Sequence, residues 1–357
     1  MNFSKYFSHS YLEARTKFMA AAAGLDITSH LHPQSGQDGE TLTMDVALDG
    51  TADAPLLLII SSACHGIEGF CGSGIQIALL NNAEWRTAVR AANVAVLYIH
   101  GLNPYGFSWR RRTTHENVDL NRNFQDFSRP LPPNPGYEIL HPLLIPPTWP
   151  PTVLNRLRLI AFGARHGIKK LQSAITGGQY THPQGLFYGG RSATWSQQTL
   201  REVLRTHAKQ CKKLALIDLH TGLGPCGVGE RILACHGAAA EQRAHAWWGS
   251  NVTSSDDGSS ISAKVAGPIW TAIYEECAQA EYTGLVLEYG TLSSIQVLDA
   301  LRADQWLENH PETPESTRLC IKDQMLNAFY IDNDEWKQQV VRQAQEVAWQ
   351  AVAGLST

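Results

Sequence analysis

His65 and Glu68 stand three residues apart in the run Ser-Ser-Ala-Cys-His-Gly-Ile-Glu-Gly-Phe-Cys-Gly-Ser-Gly that covers 61–74. An imidazole and a carboxylate on one short turn can both offer lone pairs to a metal ion. Zinc in hydrolases commonly takes three protein ligands, His₂Glu among them, and leaves a fourth position to water. His220, at the end of the apolar run 214–219, is the natural third donor. One catalytic zinc on His65, Glu68 and His220 is therefore the expectation. An H-x-x-E pair alone carries little weight, because such pairs arise by chance and a turn histidine usually bonds backbone. Its position gives this one more, on a glycine-flanked turn directly after five apolar residues, 56–60.

A second polar concentration lies downstream. Asn117-Val118-Asp119-Leu120-Asn121-Arg122-Asn123-Phe124 follows Asn103-Pro104-Tyr105-Gly106 and Trp109-Arg110-Arg111-Arg112. A packed core has no use for so many Arg, Asn and Asp in one span. A guanidinium fork matches a carboxylate bidentately, and an Asn adds a neutral donor beside it. The bland alternative is a solvated, salt-bridged loop.

These residues need a scaffold. Apolar runs at 56–60, 94–99, 214–219, 231–235 and 284–287 read as strands, with 41–47 as an edge strand. Helices are expected at 4–23, from 74 to 80, 154–175, 194–211, 239–249, 268–281 and 294–307. Two more are expected over 314–353, broken at Asp332-Asn333-Asp334, where an N-cap fits. Residues 130–151, with nine prolines, read as a long loop or insertion. Alternating strands and helices imply one α/β domain over 1–357 with a central mixed, mostly parallel sheet flanked by helices. In such sheets ligands collect beyond the C-terminal ends of strands, where the His65 turn, His220 and Glu288 all fall.

A net charge of −4 gives no electrostatic reason to expect nucleic acid or an anionic membrane as partner. The seven cysteines are odd in number and form no C-x-x-C pair. Reduced, buried thiols suit them better than a disulfide framework. Cys64, beside His65, could suggest a thiol nucleophile, but adjacent side chains in extended chain point apart. The first residues lack the basic start and apolar core of a secretory signal, and no run approaches a membrane span. The expectation is a cytoplasmic protein, with a homo-oligomer left open.

The ordered phrases H-G-I-E-G-F (65–70), N-P-Y-G-F-S-W-R-R-R (103–112), N-V-D-L-N-R-N-F (117–124), D-L-H-T-G-L-G-P (218–225) and L-E-Y-G-T (287–291) together resemble the zinc carboxypeptidases of the M14 type. More closely, they resemble the M14-like DUF2817 family, related to the succinylglutamate desuccinylase and aspartoacylase group. The resemblance implies a zinc-carboxypeptidase-like fold and hydrolysis of an amide next to a free carboxylate. Under it, His65, Glu68 and His220 bind zinc and Glu288 is the general base. An Arg of the 110–112 cluster stabilises the oxyanion. Counting from Trp109 gives Arg110, while the W-x-R-R pattern favours Arg111 and Arg112. Asn121 and Arg122 hold the substrate's carboxylate, and Asp119 orients His65. Tyr274, Tyr282 and Tyr289 are the candidates for a mobile catalytic tyrosine. The implied partner is a peptide or an acylated amino acid. Two alternatives stand beside this: an N-acyl amino acid deacylase, and a non-catalytic carboxylate-binding protein that kept the clamp. Retention of Glu288 speaks against the last, since binding a carboxylate needs no base.

Overall fold

Leu57 and Ile59 face one side of a sheet while Leu58 and Ile60 face the other, as the two-residue repeat of a strand requires. Both sides are buried, which is why 56–60 reads as an unbroken apolar run rather than an alternating one. The computed structural model describes residues 3–357, so the expected single domain reaches two residues beyond the described chain.

Seven strands form one sheet: β1 (Asp26–Ser35), β2 (Thr41–Asp49), β3 (Leu56–Ser62), β4 (Val94–His100), β5 (Lys213–Cys226), β6 (Gly229–Leu233) and β7 (Glu281–Gly290). Their spatial order is β1-β2-β4-β3-β5-β7-β6. The inner four, β4, β3, β5 and β7, are parallel. β2 runs antiparallel to β4, β1 to β2 and β6 to β7. The sheet is therefore mixed, with a parallel centre and antiparallel margins. Helices Tyr11–Ala21, Gly69–Leu80 and Asp334–Leu355 cover one face through Phe18, Ile75, Val340 and Val347. Trp195–His207 and Thr271–Glu276 cover the other through Leu204 and Ile273.

Several element boundaries depart from the sequence reading. The helix expected over 4–23 is a 3-10 turn, Ser4–Tyr6, followed by Tyr11–Ala21. Ser10 caps the second piece by accepting from the Glu13 amide, while the Glu13 carboxylate accepts from the His9 amide, a capping arrangement that restarts the helix. β1 begins at Asp26 and runs on to Ser35, into the stretch 30–39 whose Pro, Ser, Asp and Gly residues read as turn. It is an edge strand exposed along most of its length, so it carries no apolar signal. The sheet margin expected at 41–47 is thus the second strand, β2. The proline-rich 130–151 holds a helix, Pro135–Leu144, opened by Asn134 as N-cap with Pro135 in its first turn. Residues 154–175 form two helices, Val153–His166 and Ile168–Thr176, parted at Gly167 with φ +87°.

Candidate metal centre and its surroundings

His65 follows β3 through Ala63, which takes a left-handed φ of +60°. That conformation is costly for a residue with a side chain and turns the chain sharply. Gly66–Glu68 then makes a 3-10 turn that runs into the helix Gly69–Leu80. Loop 103–112 clamps this turn: the Gly66 amide donates to Arg112 O (3.1 Å) and the Ile67 amide to Arg111 O (2.8 Å). A Cβ on Gly66 would lie 2.0 Å from the Gly106 carbonyl carbon, so the close approach requires glycine. The N-P-Y-G phrase supplies the other side. Asn103 caps the short helix Pro104–Ser108 by accepting from the Gly106 amide at 2.9 Å.

His220 sits on β5, and its register partner on β7 is Glu288. The three expected donors converge. His65 Nδ1 lies 2.8 Å from Glu68 Oε1, His220 Nδ1 lies 2.9 Å from Glu68 Oε2, and the two Nδ1 atoms are 3.1 Å apart. All three residues are buried. The outer nitrogens meet carboxylates: His220 Nε2 is 2.6 Å from Asp218 Oδ2 and His65 Nε2 is 3.3 Å from Asp119 Oδ1. For His220, a proton on Nε2 leaves the Nδ1 lone pair facing inward beside a carboxylate, the ligand pattern of a divalent cation with an outer carboxylate fixing the ring. The outer nitrogen of His65 faces both Asp119 and the Arg112 guanidinium, which can only donate.

The electrostatics agree. Burial works against the Glu68 carboxylate, but the two facing imidazoles outweigh it and hold its pKa well below the usual range. Burial likewise opposes a charge on His220, yet Asp218 and Glu68 push its pKa well above the ordinary histidine value. The cluster thus draws positive charge to the point between the imidazoles, whether a proton or a metal carries it. Cys64, Asp218 and His220 form a second convergent group. Burial, reinforced by Asp218, Asp119 and Glu68, pushes the Cys64 thiol well up. A thiol kept protonated is a poor ligand, so His65, Glu68 and His220 are the better set. The same burial disposes of Cys64 as a nucleophile.

Glu288 is buried beside this centre, and its Oε1 accepts from the Leu223 amide at 3.0 Å. Burial and the neighbouring Glu68 carboxylate push its pKa up to about 8. Of the three arginines, Arg112 alone reaches the centre. Its Nη2 lies 2.7 Å from His65 Nε2, its Nη1 donates to Glu68 Oε1 at 3.4 Å, and its Nε donates to Asp119 Oδ2 at 3.0 Å. Arg111, expected there too, is buried elsewhere against Asp304 (3.3 Å), Glu308 (3.2 Å) and Asn117 (3.0 Å). Arg110 pairs at the surface with Asp323. The left-handed φ of +51° at Arg110 turns the three successive side chains to different surroundings. The expectation for Arg110 and Arg111 is corrected accordingly.

Asp119 caps the 3-10 turn Leu120–Arg122 by accepting from the Asn121 amide at 3.0 Å. Burial opposes its charge, but Arg112, Arg122 and His65 hold its pKa well below the carboxylate range. Arg122 does not present an open fork. Its Nε and Nη2 both donate to Thr176 O, at 3.2 and 2.7 Å, closing the C-terminal end of the helix Ile168–Thr176. Gly178 packs on the Arg122 side chain with φ +99°. Asn121 Oδ1 accepts from the Ile269 amide at 3.0 Å. Asn123, in the same phrase, ties residues 189–194 by bonds to Gly189 O, Ser192 O and the Thr194 amide.

The three candidate tyrosines lie outside the centre. Tyr274 donates to His236 O, Tyr282 to Ala234 O and Tyr289 to Val340 O. Two participants had no assigned role in the sequence reading. Asp218 was legible in principle, because residues two apart on a strand share a face and Asp218 precedes His220 by two. Thr176 was not, since a backbone carbonyl acting at long range leaves no residue-type signal.

Among solved structures, bovine thrombin-activatable fibrinolysis inhibitor, in complex with tick carboxypeptidase inhibitor, is 11% identical, with 95% of this chain and 99% of that chain covered and a TM-score of 0.44. A metallo-carboxypeptidase from Burkholderia cenocepacia is 12% identical, with coverage of 90% and 69% and a TM-score of 0.40. An aspartoacylase family protein from Mesorhizobium loti is 14% identical, with coverage of 80% and 66% and a TM-score of 0.38. No curated protein matches the sequence. A family model described as protein of unknown function (DUF2817) matches residues 7–343. That match spans nearly the whole chain, and the protein belongs to the DUF2817 family.

Proposed function

We propose that this protein is a metal-dependent hydrolase, with zinc as the ion, that cleaves an amide bond beside a free carboxylate. The observation that carries the reading is the inward pair of Nδ1 atoms, 3.1 Å apart and each beside Glu68, with Glu288 in register next to His220. A divalent metal held by His65, Glu68 and His220 supplies Lewis acidity, polarising a carbonyl and acidifying water towards a pKa of about 7. The chain's own groups do the rest. Burial and Glu68 hold the Glu288 carboxyl towards its neutral form. Its carboxylate, favoured once a dication sits on the three neighbouring donors, accepts the proton of the attacking water as the new C–O bond forms. It returns that proton to the amide nitrogen as the C–N bond breaks. Arg112, whose Nη1 reaches Glu68 at the centre, stabilises negative charge on the carbonyl oxygen. Asp218 keeps the His220 proton on its outer nitrogen, and Asp119 lies beside the outer nitrogen of His65.

The Arg122 fork supports a carboxylate subsite only conditionally: a substrate carboxylate must displace the Thr176 carbonyl. The burial of His65, Glu68, His220 and Glu288 favours a small substrate over a polypeptide. That observation supports the N-acyl amino acid deacylase as the second reading.

The test is elemental analysis of wild type, His65→Ala and His220→Ala, followed by turnover of N-acyl amino acids and dipeptides by the zinc-loaded protein. About one metal per chain, lost in both variants, with turnover abolished by Glu288→Gln, is the expected result. No metal in the wild type after reconstitution would sink the reading.

A further inference from the structure

We infer that the helical hairpin Val153–His166 and Ile168–Thr176 is a docking surface for an anionic lipid bilayer, a role independent of the hydrolase reading. Val153, Leu157 and Ile160 fall on one face of the first helix and are 75%, 55% and 66% exposed. The opposite face, with Asn155 and Gly163, packs inward. The outer stripe is therefore not the core-facing side of the helix. It is a second apolar face left in solvent, prolonged by Ile168, which is also exposed, past the Gly167 break. Isolated exposed aliphatics need no explanation, but a contiguous stripe marks an interaction site.

The charges decide which kind. At 100° per residue, Arg156 lies beside Ile160 on one edge, and Arg165 and Arg158 lie beyond the exposed Leu154 on the other. Lys169 and Lys170 follow on the next turn. All five are exposed, and none forms an ion pair among the described residues. From residue 139 to 201 the sequence contains no Asp or Glu. The net charge of −4 averages this region away and leads to the opposite expectation about membranes. An apolar stripe edged by Arg and Lys on an exposed helix is the pattern that lies in a bilayer interface, aliphatics between acyl chains and cations among anionic headgroups.

Two other occupants fit less well. A second copy docking face to face would set the same five cations against each other, because a two-fold interface is self-complementary. An acidic protein would need its anions at fixed positions on both edges of a convex helix, whereas a fluid headgroup layer supplies them anywhere. No helix of the described residues is long and apolar enough to cross a membrane, so the contact is peripheral.

The test uses the full chain in co-sedimentation with phosphatidylcholine vesicles, with and without phosphatidylglycerol, at low and high salt. Binding is expected only to the anionic vesicles, with loss at high salt. Arg156→Gln/Arg158→Gln/Arg165→Gln should weaken it on the order of 100-fold, and Leu157→Glu/Ile160→Glu should abolish it. All these side chains are exposed, so both variants should melt at the wild-type temperature. Absence of binding to anionic vesicles would overturn the proposal. So would equal binding to neutral vesicles, or insensitivity to the arginine substitutions. A dimer dispersed by Leu157→Glu/Ile160→Glu, without vesicle binding, would also overturn it and assign the face to a second copy.

Discussion

His220 and Glu288 occupy paired positions on neighbouring parallel strands, β5 and β7. The strand that delivers a ring nitrogen to the centre thus has the carboxylate of the next strand beside it. That carboxylate is buried and bonded by one backbone amide. A general base held this way should be separable from the metal ligands. Glu288→Gln keeps the shape and the neutral hydrogen-bonding surface but removes the basic oxygen. Metal content should stay at the wild-type level while kcat falls about 10²–10⁴-fold. Elemental analysis and steady-state kinetics on the same preparation check both halves.

Asp218 holds the outer nitrogen of His220 at 2.6 Å and accepts from Ser61 Oγ at 2.6 Å. Asp218→Asn should weaken metal affinity about 10–100-fold, the usual effect of losing a carboxylate behind a histidine ligand. A competition titration with a chromogenic chelator reads this directly. Unchanged affinity would mean that Asp218 serves the sheet and not the centre.

His220 in the metal-free protein is held protonated well above the ordinary range, because Asp218 and Glu68 outweigh the burial that opposes its charge. A metal ligand must give that proton up. Binding should therefore release protons, and affinity should rise with pH across the neutral range. Calorimetry in buffers of different ionisation enthalpy measures the protons released. An affinity independent of pH would contradict the assignment of His220.

Arg122 is tied to Thr176 O by two donors and lies 3.5 Å from Asp119. Its removal leaves the half-buried Thr176 carbonyl without that partner and strips Asp119 of one of two guanidinium neighbours. Arg122→Ala should cost about 2–4 kcal/mol of stability, read as a lower denaturant midpoint. A variant as stable as wild type would show that this end of the helix Ile168–Thr176 is not anchored there.

His100 reports on acid stability. It is buried at the end of β4, stacked on Phe18 at 4.4 Å and within 2.9 Å of Ser73 Oγ. Burial pushes its pKa down to about 4 from 6.5. The unfolded chain therefore takes up a proton that the fold refuses. Stability is unaffected above pH 6.5, falls as pH drops through the window from 6.5 to 4, and loses on the order of 3 kcal/mol by the lower end. Urea midpoints across that window should slope less steeply in His100→Gln than in wild type.

The sequence by itself determined the buried strands and the donors at their ends. Runs such as 56–60 and 214–219 are apolar throughout because both faces of a parallel sheet are covered. The phrases around His65, Asp119 and His220 are dense because each side chain needs a turn, a cap or a glycine within a few residues, and those needs are local. β1 escaped notice because an exposed edge strand has no hydrophobic period to read. Only the tertiary structure decided what depends on distance. It chose Arg112 over Arg110 and Arg111, since one backbone angle and the remote Asp304, Glu308 and Asp323 sort three identical neighbours. It closed Arg122 with the carbonyl of Thr176, 54 residues away. It also turned part of the proline-rich region and the segment after it into helices, one of them with an apolar face outward. Local propensity sets which segments fold as helix or strand, but the partner of a charged side chain is chosen by the sheet order and packing that bring distant segments together.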